Sequence, residues 1–177
     1  ALAAKDYEQA YELALRSYRA NRRHASTLRA LAIAQWQTGR EGEARRIYSR
    51  TGDEISKSFP DLLEALDFEG VLDGELLVVR DGEVAPFADL QQRLNRKTAD
   101  AKLMASHPVG VVAYDLLSET GEDLRALALK DRRERLAAFV DRMAAERLSL
   151  SPLVDFSSWD QLAQLRADPP VGAAAEG

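Results

Sequence analysis

Residues 71–86, VLDGELLVVRDGEVAP, constrain this chain more than any other stretch. Alternation at a period of two predicts a strand in which Leu72, Leu76 and Val78 face one way and Asp73, Glu75, Leu77 and Val79 the other. Asp81-Gly82 is the dipeptide that a two-residue hairpin turn asks for, because both central positions need φ > 0. The run therefore folds as a β-hairpin. Its unusual feature is the pair of carboxylates, Asp73 and Glu75, on one face. If that face is buried, a cation, a metal or a sugar hydroxyl has to offset the desolvation. If it is not, the pair is the wet face of an edge strand.

The elements around the hairpin read as a mixture. SFPDLLEAL (58–66) predicts a short helix capped by Ser58, with Leu62, Leu63 and Leu66 on its face. FADLQQRLNRK (87–97) predicts a helix that turns Phe87, Leu90 and Leu94 inward. VGVVAYDLL (109–117) is a continuous apolar run of strand length and predicts a central strand. Residues 130–147 predict an amphipathic helix with Leu136, Phe139, Val140 and Met143 inward, 148–156 another strand, and SSWDQLAQLRA (157–167) a helix capped by Ser157 or Ser158. Strands and helices alternate irregularly around one clear hairpin, which favours an α+β domain with a mixed, largely antiparallel sheet.

Residues 1–50 are different. Tyr7, Ala10, Tyr11, Ala14 and Tyr18 recur at helical spacing, and Ser26 to Thr38 reads as a second helix ending near Gly39. This part holds ten basic against five acidic side chains, whereas the remainder holds fourteen against twenty-four. The shift in charge suggests two modules, and the resemblances given below imply 1–46 and 47–177 as their bounds. The chain has no cysteine and only two histidines, His24 and His107, far apart in sequence. Thiolate chemistry is thereby excluded and a histidine-based metal site disfavoured. The missing cysteines fit a reducing, cytoplasmic setting, and no apolar run reaches membrane length.

Two resemblances follow from these residues. Leu28, Leu31, Ala32, Gly39, Ala44 and Tyr48, with a 34-residue offset back to Lys5, Ala10 and Ala14, resemble the tetratricopeptide repeat (TPR), which implies a helical hairpin and a peptide partner but no chemistry. An ordinary helical hairpin accounts for the same pattern. From residue 45 onward, IYSRTGDEISKSFPDLLEAL, LDGELLVV with FADLQQRLNRK, VGVVAYDLLSETGEDLRALALKDRRERL and SPLVDFSSWDQLAQLRA resemble, in order, the adenylation (nucleotidyltransferase) domain of bacterial ATP-dependent DNA ligases. That resemblance implies ATP and Mg2+ as cofactors and nicked DNA as partner. It places Glu75 at the ribose of the nucleotide, Tyr114 against adenine, Arg50 near nucleotide or DNA phosphates, and Glu176 near the phosphates and the metal. Without it, Glu75 reads as an edge carboxylate, Tyr114 as core, Arg50 as a surface charge and Glu176 as part of a frayed terminus. Asp115, beside Tyr114, reads as structural.

The family's nucleophile is a lysine in a Lys-x-Asp-Gly motif, and none of the five lysines here is followed by x-Asp-Gly. No catalytic residue is therefore assigned. The chain reads as a fragment or chimera of an adenylation domain, inactive alone, whose uncovered sheet edges favour self-association. The alternative is a TPR-like interaction module on a non-catalytic scaffold. The two resemblances disagree over residues 44–51. The repeat makes 44–50 helical, the ligase domain makes 47–50 a strand with Arg50 aimed at phosphate, and the expectation is helix through Arg46.

Overall fold

The structure, a computed structural model, describes residues 8–16, 45–96 and 98–168. Residues 8–16 are helical, with Ala14 buried, in keeping with the first predicted helix. The second predicted helix, most of the TPR-like hairpin and Glu176 lie outside the described residues.

From residue 45 the chain builds an α+β unit. A helix, α1 (Pro60–Ala65), leads into the long strand β1 (Gly70–Arg80), which turns back into β2 (Glu83–Val84). Two helices follow, α2 (Phe87–Leu94) and α3 (Ala101–Ser106), then a second long strand, β3 (Val109–Glu119). A short β4 (Glu122–Asp123), the helix α4 (Leu129–Met143), β5 (Leu148–Leu150) and α5 (Trp159–Ala167) complete it. The sheet order is β2-β1-β3-β4, antiparallel throughout, and β5 joins β3 in parallel. A mixed, largely antiparallel sheet is the one the sequence predicts.

Both hairpins close with the turns their residues dictate. Asp81 and Gly82 sit at φ 53° and 83°, and Thr120 and Gly121 at 44° and 81°, the two positive-φ positions of a tight turn matched to strand twist. Leu72, Leu76 and Val78 share the packed face of β1, as alternation requires. Leu76 and Val78 meet Phe59, Leu62, Leu90 and Val109, while Leu72 joins Ala113, Leu116, Leu124, Leu136, Phe139 and Leu148. Phe68 meets Phe139 edge-on, with ring centroids 5.2 Å apart. Val111 touches both clusters, so one continuous apolar layer runs along β3 under α1, α2 and α4.

Several local expectations change. Arg45 and Arg46 are not helical, and residues 45–50 form no strand of the main sheet. Tyr48 makes a single bridge to Glu54, and Gly52, at φ 82°, returns its N–H to the Ser49 carbonyl. The stretch is a small hairpin whose Ile47 and Ile55 pack on the core. Ser58 does not cap α1; it lies in a preceding 3-10 turn and donates its hydroxyl to the Arg96 carbonyl. The helix begins instead with Pro60, whose missing N–H costs nothing at that position. Helix α4 stops at Met143 because Ala144 is left-handed, φ 44°, short of the predicted Arg147. The strand predicted over 148–156 is three residues long.

Phe87 is 64% exposed rather than buried. The inward stripe of α2 runs through Leu90 and Arg93. The Arg93 side chain is wholly buried. Its Nε and Nη2 donate to the Ser58 carbonyl at 3.0 and 2.7 Å, and its Nη1 to the His107 carbonyl at 2.9 Å. It also forms a two-pronged pair with Asp61 and lies 5.1 Å from the Phe59 ring centroid. Asp61 in turn accepts from Arg147, at the entry to β5. Removing Arg93 leaves the Ser58 and His107 carbonyls without their donor and Asp61 with Arg147 alone, which costs about 3–5 kcal/mol. Arg93→Met is expected to lose that much in urea denaturation at neutral pH; a loss under ~1 kcal/mol would show that the cluster does not hold the fold together.

Candidate functional site

Where β1 pairs with β3 the register slips twice, between Val71 and Leu72 and between Asp73 and Gly74. Asp73 lies opposite Asp115 and Gly74 opposite Ala113, so Tyr114 is the extra residue of a β-bulge. A bulge breaks the strict alternation of side chains. Ala113 and Leu116, three apart, are both fully buried, and Tyr114 between them is 43% exposed. The Tyr114 hydroxyl crosses the ladder to donate to Asp73 Oδ1 at 3.0 Å. Tyr114 and the first motif carboxylate are thus brought together. Glu75, half-buried, lies two residues further along β1, opposite Val112.

Gly74, between the two carboxylates, is required by close approach rather than by its backbone angles. A Cβ there would lie 2.7 Å from the Val112 carbonyl oxygen and 3.0 Å from the Ala113 Cα.

The groove beside Tyr114, of about 450 Å³, is lined by Asp115, Leu129, Arg132, Arg133 and the turn after β5 at Ser151, Pro152 and Leu153. Asp115 turns to α4, where Arg132 grips it with Nε and Nη2 at 2.8 and 2.7 Å. Those bonds outweigh burial and hold the Asp115 carboxyl below its ordinary range. Asp115 is structural, as expected. For Asp61, burial pushes upward most strongly, but the bonds and charges of Arg93 and Arg147 together carry it below the usual value.

Arg50 is exposed at the apex of the small hairpin at residues 47–55, not on a strand beside β1. Glu176 is outside the described residues. The sequence reading missed Asp61, Arg93, Arg132 and Arg133. The first two share the inward stripes of α1 and α2 with leucines, and an arginine at such a position was the available signal. Nothing in the periodicity of α4 marks Arg133.

An α+β fold with this sheet fits a nucleotidyltransferase domain of the ligase type. Residues 34–177 match the family described as ATP dependent DNA ligase domain, and the chain belongs to that family. It is similar to a probable DNA ligase of Koribacter versatilis, 37% identical over 110 residues, covering 60% of this chain and 19% of that protein. A DNA ligase of Methanoculleus marisnigri is 36% identical over 107 residues, 58% of this chain and 20% of the relative. A DNA ligase of Natronomonas pharaonis is 31% identical over 140 residues, 76% and 24% respectively. The matched stretch thus spans a quarter or less of the length of these relatives. No described helix is long and apolar enough to cross a membrane.

Two outcomes follow from this geometry. Gly74→Ala is expected to destabilise by about 1–3 kcal/mol, since backbone and not a flexible side chain would have to move; an unchanged urea midpoint would contradict the close approach. The second concerns acid. Asp61 and Asp115 have folded-state pKa values below the ordinary carboxylate value of ~3.9, so in acid the unfolded chain binds more protons than the folded one. Their stabilisation is complete above the ordinary value and is lost as pH falls through the lowered values. Urea midpoints should stay level from pH 7 to about 5 and fall steeply toward pH 3, less steeply in Asp115→Asn. Equal slopes in the two proteins would exclude Asp115 as a source.

Proposed function

We propose that the bulged face of β1 and β3 binds the adenosine half of an adenine nucleotide, as part of a ligase adenylation domain. Tyr114 stacks on adenine, because a flat π-face binds a base at little geometric cost. Glu75 accepts from the ribose hydroxyls, which suits a carboxylate with several lone pairs. The observation that carries this reading is the half-exposed Tyr114 ring, tethered by its hydroxyl to Asp73 on the strand that also bears Glu75. The whole family reaction runs from lysine adenylation by ATP, through transfer of AMP to a DNA 5′-phosphate, to nick sealing. Arg50, exposed on its hairpin, is assigned to nucleotide or DNA phosphates, and Glu176 to the phosphates and metal.

The donor set fits a nucleoside: an aromatic face, two carboxylates and an open groove. It does not fit a resident cation. Among the described residues no three His, Cys, Asp or Glu side chains gather into a metal site. In this family Mg2+ neutralises phosphate charge, and the described residues supply no step through it. With no Lys-x-Asp-Gly in this stretch, binding without self-adenylation is the function assigned to it.

Calorimetric titration with AMP tests this. Glu75→Gln and Tyr114→Leu are each expected to weaken binding roughly tenfold, in line with the loss of a hydrogen-bonded or stacked contact. Undiminished affinity in both variants would sink the assignment. After incubation with ATP and Mg2+, the intact mass is expected to stay unchanged. A gain of one AMP would show that a lysine here acts as nucleophile.

A further inference from the structure

The bulge that exposes Tyr114 also spoils strand pairing around it. The parallel ladder of β5 on β3 ends at Ala113 opposite Leu150, with the Ser151 N–H still donating to the Ala113 carbonyl at 2.8 Å. One residue further along each strand, the ladder gives way to a side chain. Arg133, in the second turn of α4, donates Nη1 to the Tyr114 carbonyl at 3.2 Å and Nη2 to the Ser151 carbonyl at 2.7 Å. One rigid guanidinium fork therefore spans the bulged residue and the turn that carries Pro152 and Leu153, two walls of the groove. At the other end of the same residue, Asp73 Oδ1 accepts a hydrogen bond from the phenol hydroxyl.

We propose that Asp73 and Arg133 are positioning residues that clamp Tyr114 from both ends, Arg133 at its backbone and Asp73 at its hydroxyl, so that the ring is held ready for the base. This rests on the reading of Tyr114 as the stacking residue. Physically, a bulge disrupts the ladder locally and bends its strand, so the direction in which its extra residue projects depends on the contacts that residue makes. A ring on such a residue loses entropy on binding unless its orientation is already fixed. The guanidinium ties the bulged backbone to the turn after β5, and the carboxylate fixes the ring's far end. Neither residue has to touch the nucleotide, so their effect passes through the pose of Tyr114.

The probe is the monophosphate of 2-aminopurine riboside, whose fluorescence is quenched by stacking and which can be excited where the two tryptophans do not absorb. It is titrated onto the whole chain in parallel with AMP, and unfolding midpoints are recorded for each variant. Saturating quench is expected for the parent chain and none for Tyr114→Leu. Asp73→Ala and Arg133→Gln are expected each to relieve part of the quench at saturation and to weaken AMP roughly threefold to tenfold. Arg133→Lys, which can reach one carbonyl but not both, should fall between parent and Arg133→Gln. Tyr114→Phe should match Asp73→Ala, with the double variant no worse than either, as a shared hydrogen bond requires.

A merely structural role for Arg133 would lower its unfolding midpoint yet leave the saturating quench at the parent value. That result, together with an unchanged quench in Asp73→Ala, overturns the clamp while Tyr114→Leu still supports stacking. If Tyr114→Leu keeps the full quench, the nucleotide reading itself falls and the clamp with it. Should Arg133→Gln fail to fold, exposed Asp73 and Tyr114→Phe carry the test alone.

Discussion

A buried guanidinium organises this fold. Arg93 has no solvent to satisfy it, and five N–H donors in a fixed plane have to find acceptors inside the protein. They find the Ser58 and His107 carbonyls and the Asp61 carboxylate, drawn from the turn before α1, from α1 itself and from the residue that precedes β3 by one proline. Asp61 then reaches Arg147, at the start of β5. Four chain segments, remote in sequence, are thereby fixed to one another by directional bonds. Apolar contact between Phe59, Leu62, Leu90 and Val109 would tolerate sliding, whereas a planar fork with matched acceptors tolerates little. The start of β3 is set in this way, and Tyr114 is five residues along from it.

What the sequence discloses here is what depends on local rules. Alternation in LDGELLVV assigns the packed face of β1, and Asp-Gly and Thr-Gly pairs specify two turns whose positive φ values follow from strand twist. Ser158 caps α5, its side-chain oxygen accepting from a backbone N–H three residues on. Family resemblance adds a proposed joint role for Glu75 and Tyr114. The misses are all cases where tertiary context overrides a local signal. Phe87 fits the helical stripe of α2 as well as Arg93 does, and hydrophobicity favours the phenylalanine. The cage of acceptors around position 93, which comes from other segments, reverses that order. Ser58 looks like a cap, but its hydroxyl is taken by Arg96. Ala144 ends α4 in a left-handed conformation that its side chain does not announce. The bulges are equally invisible, because register is a property of two strands and neither sequence alone contains it.

The bulge at Tyr114 nevertheless makes the difference between a sheet and a site. In an unbroken ladder Tyr114 would alternate with Ala113 and Asp115 and could pack flat among its strand neighbours. With one residue inserted, Ala113 and Leu116 both remain in the core. Asp115 is released to Arg132, and Tyr114 stands half-exposed over the opposite strand. The glycine of the D-G-E motif belongs to the same device. Its missing side chain lets β1 lie close against Val112 and Ala113 where the register slips. Motif and bulge are two halves of one geometric requirement.

The carboxylates around this point differ in their partners, and the difference gives the site a direction. Asp61 and Asp115 are each committed to guanidinium groups, which fill their oxygens with charged donors. Asp73 accepts a hydrogen bond from a phenol hydroxyl instead. That bond uses one of the roughly four acceptor positions of an ionised carboxylate and leaves its charge in place. A surface of this kind favours neutral donors, such as sugar hydroxyls and aromatic edges, and repels phosphate. On the proposed reading, a nucleotide would direct its base and ribose toward Tyr114 and Glu75 and its phosphates away from Asp73. Cations for those phosphates have to come from elsewhere than this face, since Arg132 and Arg133 are turned to Asp115 and to backbone carbonyls. In the proposed site the same economy assigns the nucleoside end to a few residues on two strands and leaves the phosphates to cations outside this face.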